Sequence, residues 1–101
     1  MPEAIAQFEA ALRADPEYAE AHNNLGYVLS RIPGRLPEAI GHFEAALKLR
    51  PDYFDAHYNL GVALSQIPGR TQDAIAHLEA AQRLRPSLEV AQAIETLKKG
   101  R

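Results

Sequence analysis

Four histidines are the side chains in this sequence with the widest chemical range, since imidazole can bind a metal ion or exchange a proton near neutral pH. They form two sets 35 residues apart, His22 with His57 and His42 with His77. Metal-binding histidines commonly lie four residues apart on one helix with a third ligand nearby, and no pair has that spacing. Equivalent side chains on stacked helical repeats would lie about 10 Å apart, too far to share an ion. We therefore expect structural or surface histidines and no metal site.

Catalysis has little support elsewhere in the sequence. The 101 residues include no Cys, which excludes disulfides, thiol nucleophiles and Cys-ligated zinc. Carboxylates are interspersed with Lys and Arg, and no His–Ser or paired-acid arrangement recurs. The Pro-Gly-Arg segments are turn signals, not phosphate-binding loops. We expect no enzyme activity and no cofactor.

Charge and hydropathy narrow the classes of partner. The formal net charge is −2, whereas nucleic-acid-binding domains usually carry a basic excess. No apolar run approaches the roughly 20 residues that span a bilayer. Met1-Pro2-Glu3 precedes an amphipathic pattern and not the apolar block of a signal peptide. We therefore expect neither nucleic acid nor membrane as a partner, and a cytoplasmic location.

An internal repeat organises the chain. Residues 16–50 and 51–85 align without a gap, with 21 of 35 positions identical, and residues 2–15 match the second half of that unit. Apolar residues recur at helical spacing in both halves of each repeat. The sequence therefore predicts helices over 1–14, 17–31, 36–49, 52–66, 71–84 and 87–99.

Residues that end helices, and glycines that allow neighbouring helices to pack closely, support a stack of helix pairs. Pro33-Gly34 and Pro68-Gly69 end the first helix of each pair, Pro37 fits the first turn of the next helix, and Thr71 is a candidate N-cap. Gly26 and Gly61 lie within helices, which we attribute to close packing against Ala39 and Ala74. Arg35 and Arg70 repeat in the turns, and the ends of the second helices carry Lys48, Arg50, Arg83 and Arg85, where cations are expected to favour the negative helix C-terminus.

The last segment is expected to close the stack. Residues 87–99 lack the Leu-Gly pair of the repeats, and their polar positions suit a solvated outer side. Leu88, Ala91, Ile94 and Leu97 are predicted to cover the last repeat, with Val90 beside them.

The repeat resembles the tetratricopeptide repeat (TPR) family in Ala21-x-x-x-Leu25-Gly26, Leu29, Ala39, Phe43, Ala46 and Pro51, and again in Ala56, Leu60, Gly61, Leu64, Ala74, Leu78, Ala81 and Pro86. The period is 35 and not the family's 34. The resemblance implies an all-α fold, an α–α superhelix of about six antiparallel helices. It also implies one domain over 1–101: a half repeat (1–15), repeats 16–50 and 51–85, and a capping helix (86–101).

The resemblance further implies that the first helix of each pair lines a concave face that binds proteins or peptides. Asn24 and Asn59 are one period apart, similar to the asparagine ladder in the repeats of O-linked N-acetylglucosamine transferase, which holds extended peptides independently of their sequence. A structural role for these amides is the alternative. Helical spacing from Asn24 and Asn59 adds further candidate peptide-binding residues: Glu20, Tyr27, Arg31, Asp55, Val62 and Gln66. Asn23 and Tyr58, with Ser30 and Ser65, border this stripe. Glu20 and Asp55 replace the cations of a carboxylate clamp, so a neutral or mildly basic peptide is favoured.

The N-terminal helix lacks its repeat partner. Ile5, Phe8 and Leu12 would normally pack on both sides, so either the chain is a fragment of a longer repeat array or another subunit covers them. On the second alternative they are the expected interface for self-association into a homo-oligomer. Three functions therefore stay open: a protein- or peptide-binding module, an assembly module that uses this interface, and a substrate-presenting segment of a larger enzyme.

Overall fold

A computed structural model describes residues 2–100, and within that range the chain consists of α-helices joined by short turns, with no β-strand. The helices are α1 (Pro2–Ala14), α2 (Ala19–Ser30), α3 (Leu36–Leu49), α4 (Phe54–Ser65), α5 (Thr71–Leu84) and α6 (Leu88–Lys99). Predicted bounds for α3 and α5 are confirmed. Helices α2 and α4 begin two residues later than predicted, because Tyr18 and Tyr53 have extended backbone and act as N-caps. Met1, the first residue of the predicted 1–14 helix, lies outside the described residues.

The chain divides into two compact units. The first ends at Pro51 and the second begins at Asp52, one residue after the boundary between the two sequence repeats. In the first unit, α2 packs against both α1 and α3. In the second, α5 packs against both α4 and α6.

Each repeat contains one helix pair joined by an Ile-Pro-Gly-Arg turn. Gly34 and Gly69 have φ angles of 85° and 86°, a region that side-chain-bearing residues rarely adopt, as the sequence predicted. Pro37 lies in the first turn of α3, also as predicted. Thr71 is not an N-cap: Arg70 holds that position and makes no capping hydrogen bond through its side chain.

The turn arginines form ion pairs with the first turn of the following helix. Arg35 and Arg70 are the N-cap residues of α3 and α5, where a cation opposes the helix dipole. Each offsets this by pairing with a first-turn carboxylate, Arg35 with Glu38 at 2.9 Å and Arg70 with Asp73 at 2.7 Å. At the other end of these helices, Lys48 and Arg83 lie in the last turn of α3 and α5, where a cation favours the helix C-terminus.

The helical glycines mark close contacts, as predicted. A Cβ on Gly26 would lie 2.7 Å from Phe43 Cε1 and 3.1 Å from the Ala39 carbonyl oxygen. A Cβ on Gly61 would lie 2.7 Å from Leu78 Cγ and 3.1 Å from the Ala74 carbonyl oxygen. Glycine at these two positions therefore allows α2 to approach α3, and α4 to approach α5.

The capping helix packs on the last repeat through most of the predicted residues, but not through Leu88. Val90 and Ile94 are buried with Ile75 and Leu78, and Ala93 and Leu97 pack around them. Leu88, predicted to cover the repeat, is 74% exposed because it is the first residue of α6 and lies outside this stripe. Ser87 caps the helix by accepting a 3.0 Å hydrogen bond from the Val90 amide.

Candidate functional site

The solvent-facing side of α2 carries four of the predicted peptide-binding residues. Glu20, Asn24, Tyr27 and Arg31 are all exposed, at the three- and four-residue spacing that places side chains on one helix face. Ala21, Leu25, Val28 and Leu29 bury the opposite side. The core of the first unit therefore fixes which way this stripe points.

Asn24 lies at the centre of this stripe. Its side chain is exposed, and within residues 2–100 no interaction of its amide is found. A primary amide carries two donors and an acceptor on one planar group. Asn24 can therefore offer both kinds of hydrogen bond to a peptide backbone.

Tyr27 and Arg31 form a local aromatic–cation pair at the C-terminal end of the stripe. The Arg31 Cζ lies 5.6 Å from the centroid of the Tyr27 ring, and its Nη1 donates a 3.5 Å hydrogen bond to the Tyr27 hydroxyl. The Tyr27 side chain remains 48% exposed. The pair presents an apolar ring face and a positive charge side by side.

The equivalent face of α4 is less polar. Asp55, Val62 and Gln66 are exposed and Asn59 is half-buried, with an interaction of its own within the described residues. Gln66 Nε2 lies 3.5 Å from the Val62 carbonyl oxygen, back on its own helix. Val62 stands where α2 has Tyr27, so the second stripe offers aliphatic contact.

Two predicted border residues are drawn into packing. Asn23 is only 5% exposed and makes an interaction within the described residues, so it does not join the α2 stripe. Tyr58 is half-buried, stacked on Phe54 with ring centroids 6.2 Å apart, and packs against the α5–α6 core.

A cleft of about 370 Å³ opens beside the N-terminus of α2. Its lining residues come from the α1–α2 loop, α2 and the end of α3: Asp15, Glu17, Tyr18, Ala19, Glu20, Leu49 and Arg50. Three carboxylates and one guanidinium surround a partly apolar floor. This cleft continues the α2 stripe past Glu20.

Histidine pairing within each repeat was missed by the sequence analysis. His22 on α2 and His42 on α3 face each other with Nδ1 atoms 3.1 Å apart, and His57 on α4 faces His77 on α5 at 3.2 Å. The ring centroids are 5.3 and 5.4 Å apart, with the same 31° tilt. The sequence contains a signal for this pairing, because in both repeats the histidine of the second helix follows the histidine of the first helix by 20 residues.

The first pair has a defined proton arrangement. His22 Nε2 lies 2.9 Å from the Pro16 carbonyl oxygen, which can only accept, so Nε2 carries the proton. In neutral His22 the Nδ1 atom is then an acceptor, and His42 Nδ1–H is the donor between the rings. Burial and the neighbouring His22 lower the pKa of His42, against opposing effects of Glu38 and Glu9.

The predicted self-association residues lie on α1. Ile5, Phe8 and Leu12 are half-buried where α1 packs on α2. Leu12 also lines a second cleft of about 370 Å³ together with Glu9, Arg13, Leu25 and His42. Their role in an interface stays a prediction.

Comparison with known families decides the class of protein. A model of the TPR repeat matches residues 1–32 and 31–67. The chain belongs to the TPR family. This confirms the resemblance read from the sequence, and the all-α helical-repeat fold class with it. TPR domains are in general protein–protein interaction modules and typically lack catalytic activity.

Solved structures give the same fold. A mutant O-GlcNAc transferase of Thermobaculum terrenum is 26% identical with a TM-score of 0.82, covering 92% of this chain and 18% of the transferase. The TPR2B domain of yeast Sti1, in complex with pHsp70, is 20% identical with a TM-score of 0.87, covering 99% of this chain and 84% of that one. YrrB, a TPR protein with an unusual peptide-binding site, is 25% identical with a TM-score of 0.76, covering 91% and 46%.

The chain thus spans less than a fifth of the transferase and less than half of YrrB. No curated protein matches its sequence. Within residues 2–100, no helix has the length and apolar character needed to cross a bilayer.

Proposed function

We propose that this chain binds extended segments of partner proteins through the faces of α2 and α4 that line the concave surface in TPR proteins. The observation that carries the proposal is Asn24, an exposed amide in the middle of the Glu20–Arg31 stripe. Asn59 holds the equivalent position in the second repeat. Likeness to YrrB and to the TPR2B complex supports a peptide as the class of ligand.

The stripe chemistry favours recognition of peptide backbone over any one side chain. An amide that donates and accepts at once matches the alternating N–H and C=O groups of an extended chain. The ring of Tyr27 and the aliphatic side chain of Val62 add apolar contact that tolerates many ligand side chains. We therefore expect broad sequence tolerance with a requirement for extended conformation.

The charges select against acidic ligands. Glu20 and Asp55 lie on the stripes, and the cleft beside α2 adds Asp15 and Glu17. Arg31 is the cation of the α2 stripe and is already in contact with Tyr27. A neutral or mildly basic segment therefore fits better than a C-terminal carboxylate.

The chain is proposed to be non-catalytic itself. Its 26% identity to the Thermobaculum transferase supports a second candidate, in which this segment presents protein substrates to a catalytic domain elsewhere in a longer protein. The two candidates share the same peptide-binding step. The third, assembly through α1, predicts instead that changes at Ile5, Phe8 or Leu12 alter the oligomeric state and changes at Asn24 do not.

The test is selection of peptides from a random display library, followed by calorimetry on a synthesised peptide. Asn24→Ala and Asn59→Ala are each expected to weaken binding, and the double variant to weaken it further. Matched controls on exposed positions of other helices, Glu44→Ala on α3 and Gln92→Ala on α6, should leave affinity unchanged. Equal affinity of the double variant and the wild type would contradict the proposal.

A further inference from the structure

We propose that each histidine pair, His22–His42 and His57–His77, chelates one divalent transition-metal ion such as Cu²⁺, Ni²⁺ or Zn²⁺. These two metal sites are separate from the proposed peptide-binding residues on α2 and α4. They contradict the expectation drawn from sequence spacing, which compared histidines one repeat apart and not those facing each other across a helix pair.

The distance between the nitrogens suits one ion. Two metal–nitrogen bonds of about 2.0–2.1 Å that meet at an angle between about 90° and the tetrahedral angle place the two nitrogens about 2.8–3.4 Å apart. The Nδ1 atoms are 3.1 Å apart in the first pair and 3.2 Å in the second. The ion takes the place of the proton between the rings, off the line that joins the nitrogens, and each ring turns toward it.

One ligand of the first pair is already held as metal-binding histidines usually are. Such a ring commonly donates its other N–H to a carbonyl or carboxylate, which fixes the tautomer and the ring orientation. His22 Nε2 makes that bond to the Pro16 carbonyl oxygen at 2.9 Å, leaving the Nδ1 lone pair toward His42.

The proton balance is simple. On binding, the His42 proton leaves Nδ1 and, through solvent, one returns to Nε2, so a neutral pair releases no net proton. A metal ion binds the unprotonated nitrogen; burial and the neighbouring His22 lower the pKa of His42, whereas Glu38 and Glu9 raise it.

Two imidazoles define a modest site. Within the described residues no group of three histidine, cysteine or acidic side chains could hold an ion, so water completes the coordination. The affinity is therefore far below that of a four-ligand structural zinc site. Cu²⁺ should bind more tightly than Ni²⁺ or Zn²⁺, following the general order for nitrogen ligands.

The experiment is calorimetric titration of the tag-free chain with NiCl₂ and with CuCl₂, after treatment with a chelator. The expected stoichiometry is two ions per chain, falling to one in His22→Gln or His57→Gln and to none in the double variant. Glu44→Gln is the surface control and should keep both ions. Circular dichroism of each variant establishes that it is folded.

A second readout needs no variant. Electron paramagnetic resonance of the wild-type chain with one equivalent of Cu²⁺ should show two imidazole nitrogens on the ion. The proposal would be overturned if the wild-type chain bound no Ni²⁺ at millimolar concentration. It would equally be overturned if the double variant still bound the metal, or if the copper spectrum showed no pair of nitrogen ligands.

Discussion

Gly26 lies directly against the ring of Phe43. A Cβ on Gly26 would be 2.7 Å from Cε1 and 2.8 Å from Cδ1 of that ring, and Phe43 is itself 1% exposed. The same Cβ would lie 3.1 Å from the Ala39 carbonyl oxygen, which belongs to the backbone of α3. This contact sets how closely α2 and α3 pack.

Gly26→Ala should therefore lower the free energy of unfolding. Overpacking a core costs about 1–3 kcal/mol, and better helix propensity returns about 1 kcal/mol, leaving a net loss of up to about 2 kcal/mol. Urea denaturation measures it. Gly41→Ala on α3 is the matched control, because no atom lies within 4 Å of the added Cβ. That control should stabilise the chain by up to about 1 kcal/mol, and a Gly26→Ala variant as stable as Gly41→Ala would contradict the contact.

Stability of the metal-free protein should fall as the pH falls below the ordinary histidine pKa. The folded pKa of His42 is lowered from 6.5 by burial and by His22 on α2, with Glu9 on α1 and Glu38 on α3 opposing the shift. The unfolded state therefore binds more protons as the pH drops from about 6.5 through the folded pKa. The stabilisation is present in full above that window and is lost within it.

Urea midpoints between pH 8 and pH 5 test this expectation in the presence of a chelator. His42→Gln removes the titrating ring and should flatten the curve relative to the wild type. If the urea midpoints of the wild type and of His42→Gln changed equally with pH, the His42 ring would not contribute to the pH dependence of stability.

Truncation of Val90 should destabilise the chain much more than truncation of Leu88, although both are apolar residues at the start of α6. Val90 is 1% exposed in the α5–α6 core and Leu88 is 74% exposed. Val90→Ala should cost about 1–3 kcal/mol of unfolding free energy, and Leu88→Ala should change it by less than about 0.5 kcal/mol. Thermal unfolding of both variants checks the prediction, and equal losses would mean that α6 packs in another rotation.

The carboxylate of Glu20 should tune the charge of the preferred peptide. Exposed charge pairs contribute about 0.2–1 kcal/mol, so Glu20→Gln should weaken binding of a lysine-containing peptide by no more than about fivefold and leave its neutral counterpart unchanged. Fluorescence anisotropy with the two labelled peptides measures this, at low and high salt. A loss that is the same for both peptides would assign Glu20 a structural role.

Sequence pattern alone was sufficient for the order and number of helices in residues 2–100. The Pro-Gly turns, the apolar spacing and the recurrence of Leu-Gly are local signals, so α3 and α5 were predicted to the residue. The stripe of Glu20, Asn24, Tyr27 and Arg31 followed from helical periodicity, because the buried residues on the other side determine which face is exposed.

Which residues of a helix are buried, and how the helix is rotated about its axis, could be determined only from the folded structure. Leu88 and Val90 are both apolar and two residues apart, and only their packing against α5 determines which one is buried. Asn23 and Asn24 are adjacent and chemically identical, yet one is buried and the other exposed. Sequence spacing did not separate them.

By itself, the sequence determined a repeated helix pair, its family and the exposed polar stripe on its first helix, because each depends on spacing within a few turns of one helix. Only the tertiary structure decided that His22 meets His42 and that His57 meets His77. Those contacts join residues 20 apart on different helices. Their distance is set by how closely the glycines let the helices approach and by the rotation of each helix, which no local pattern encodes.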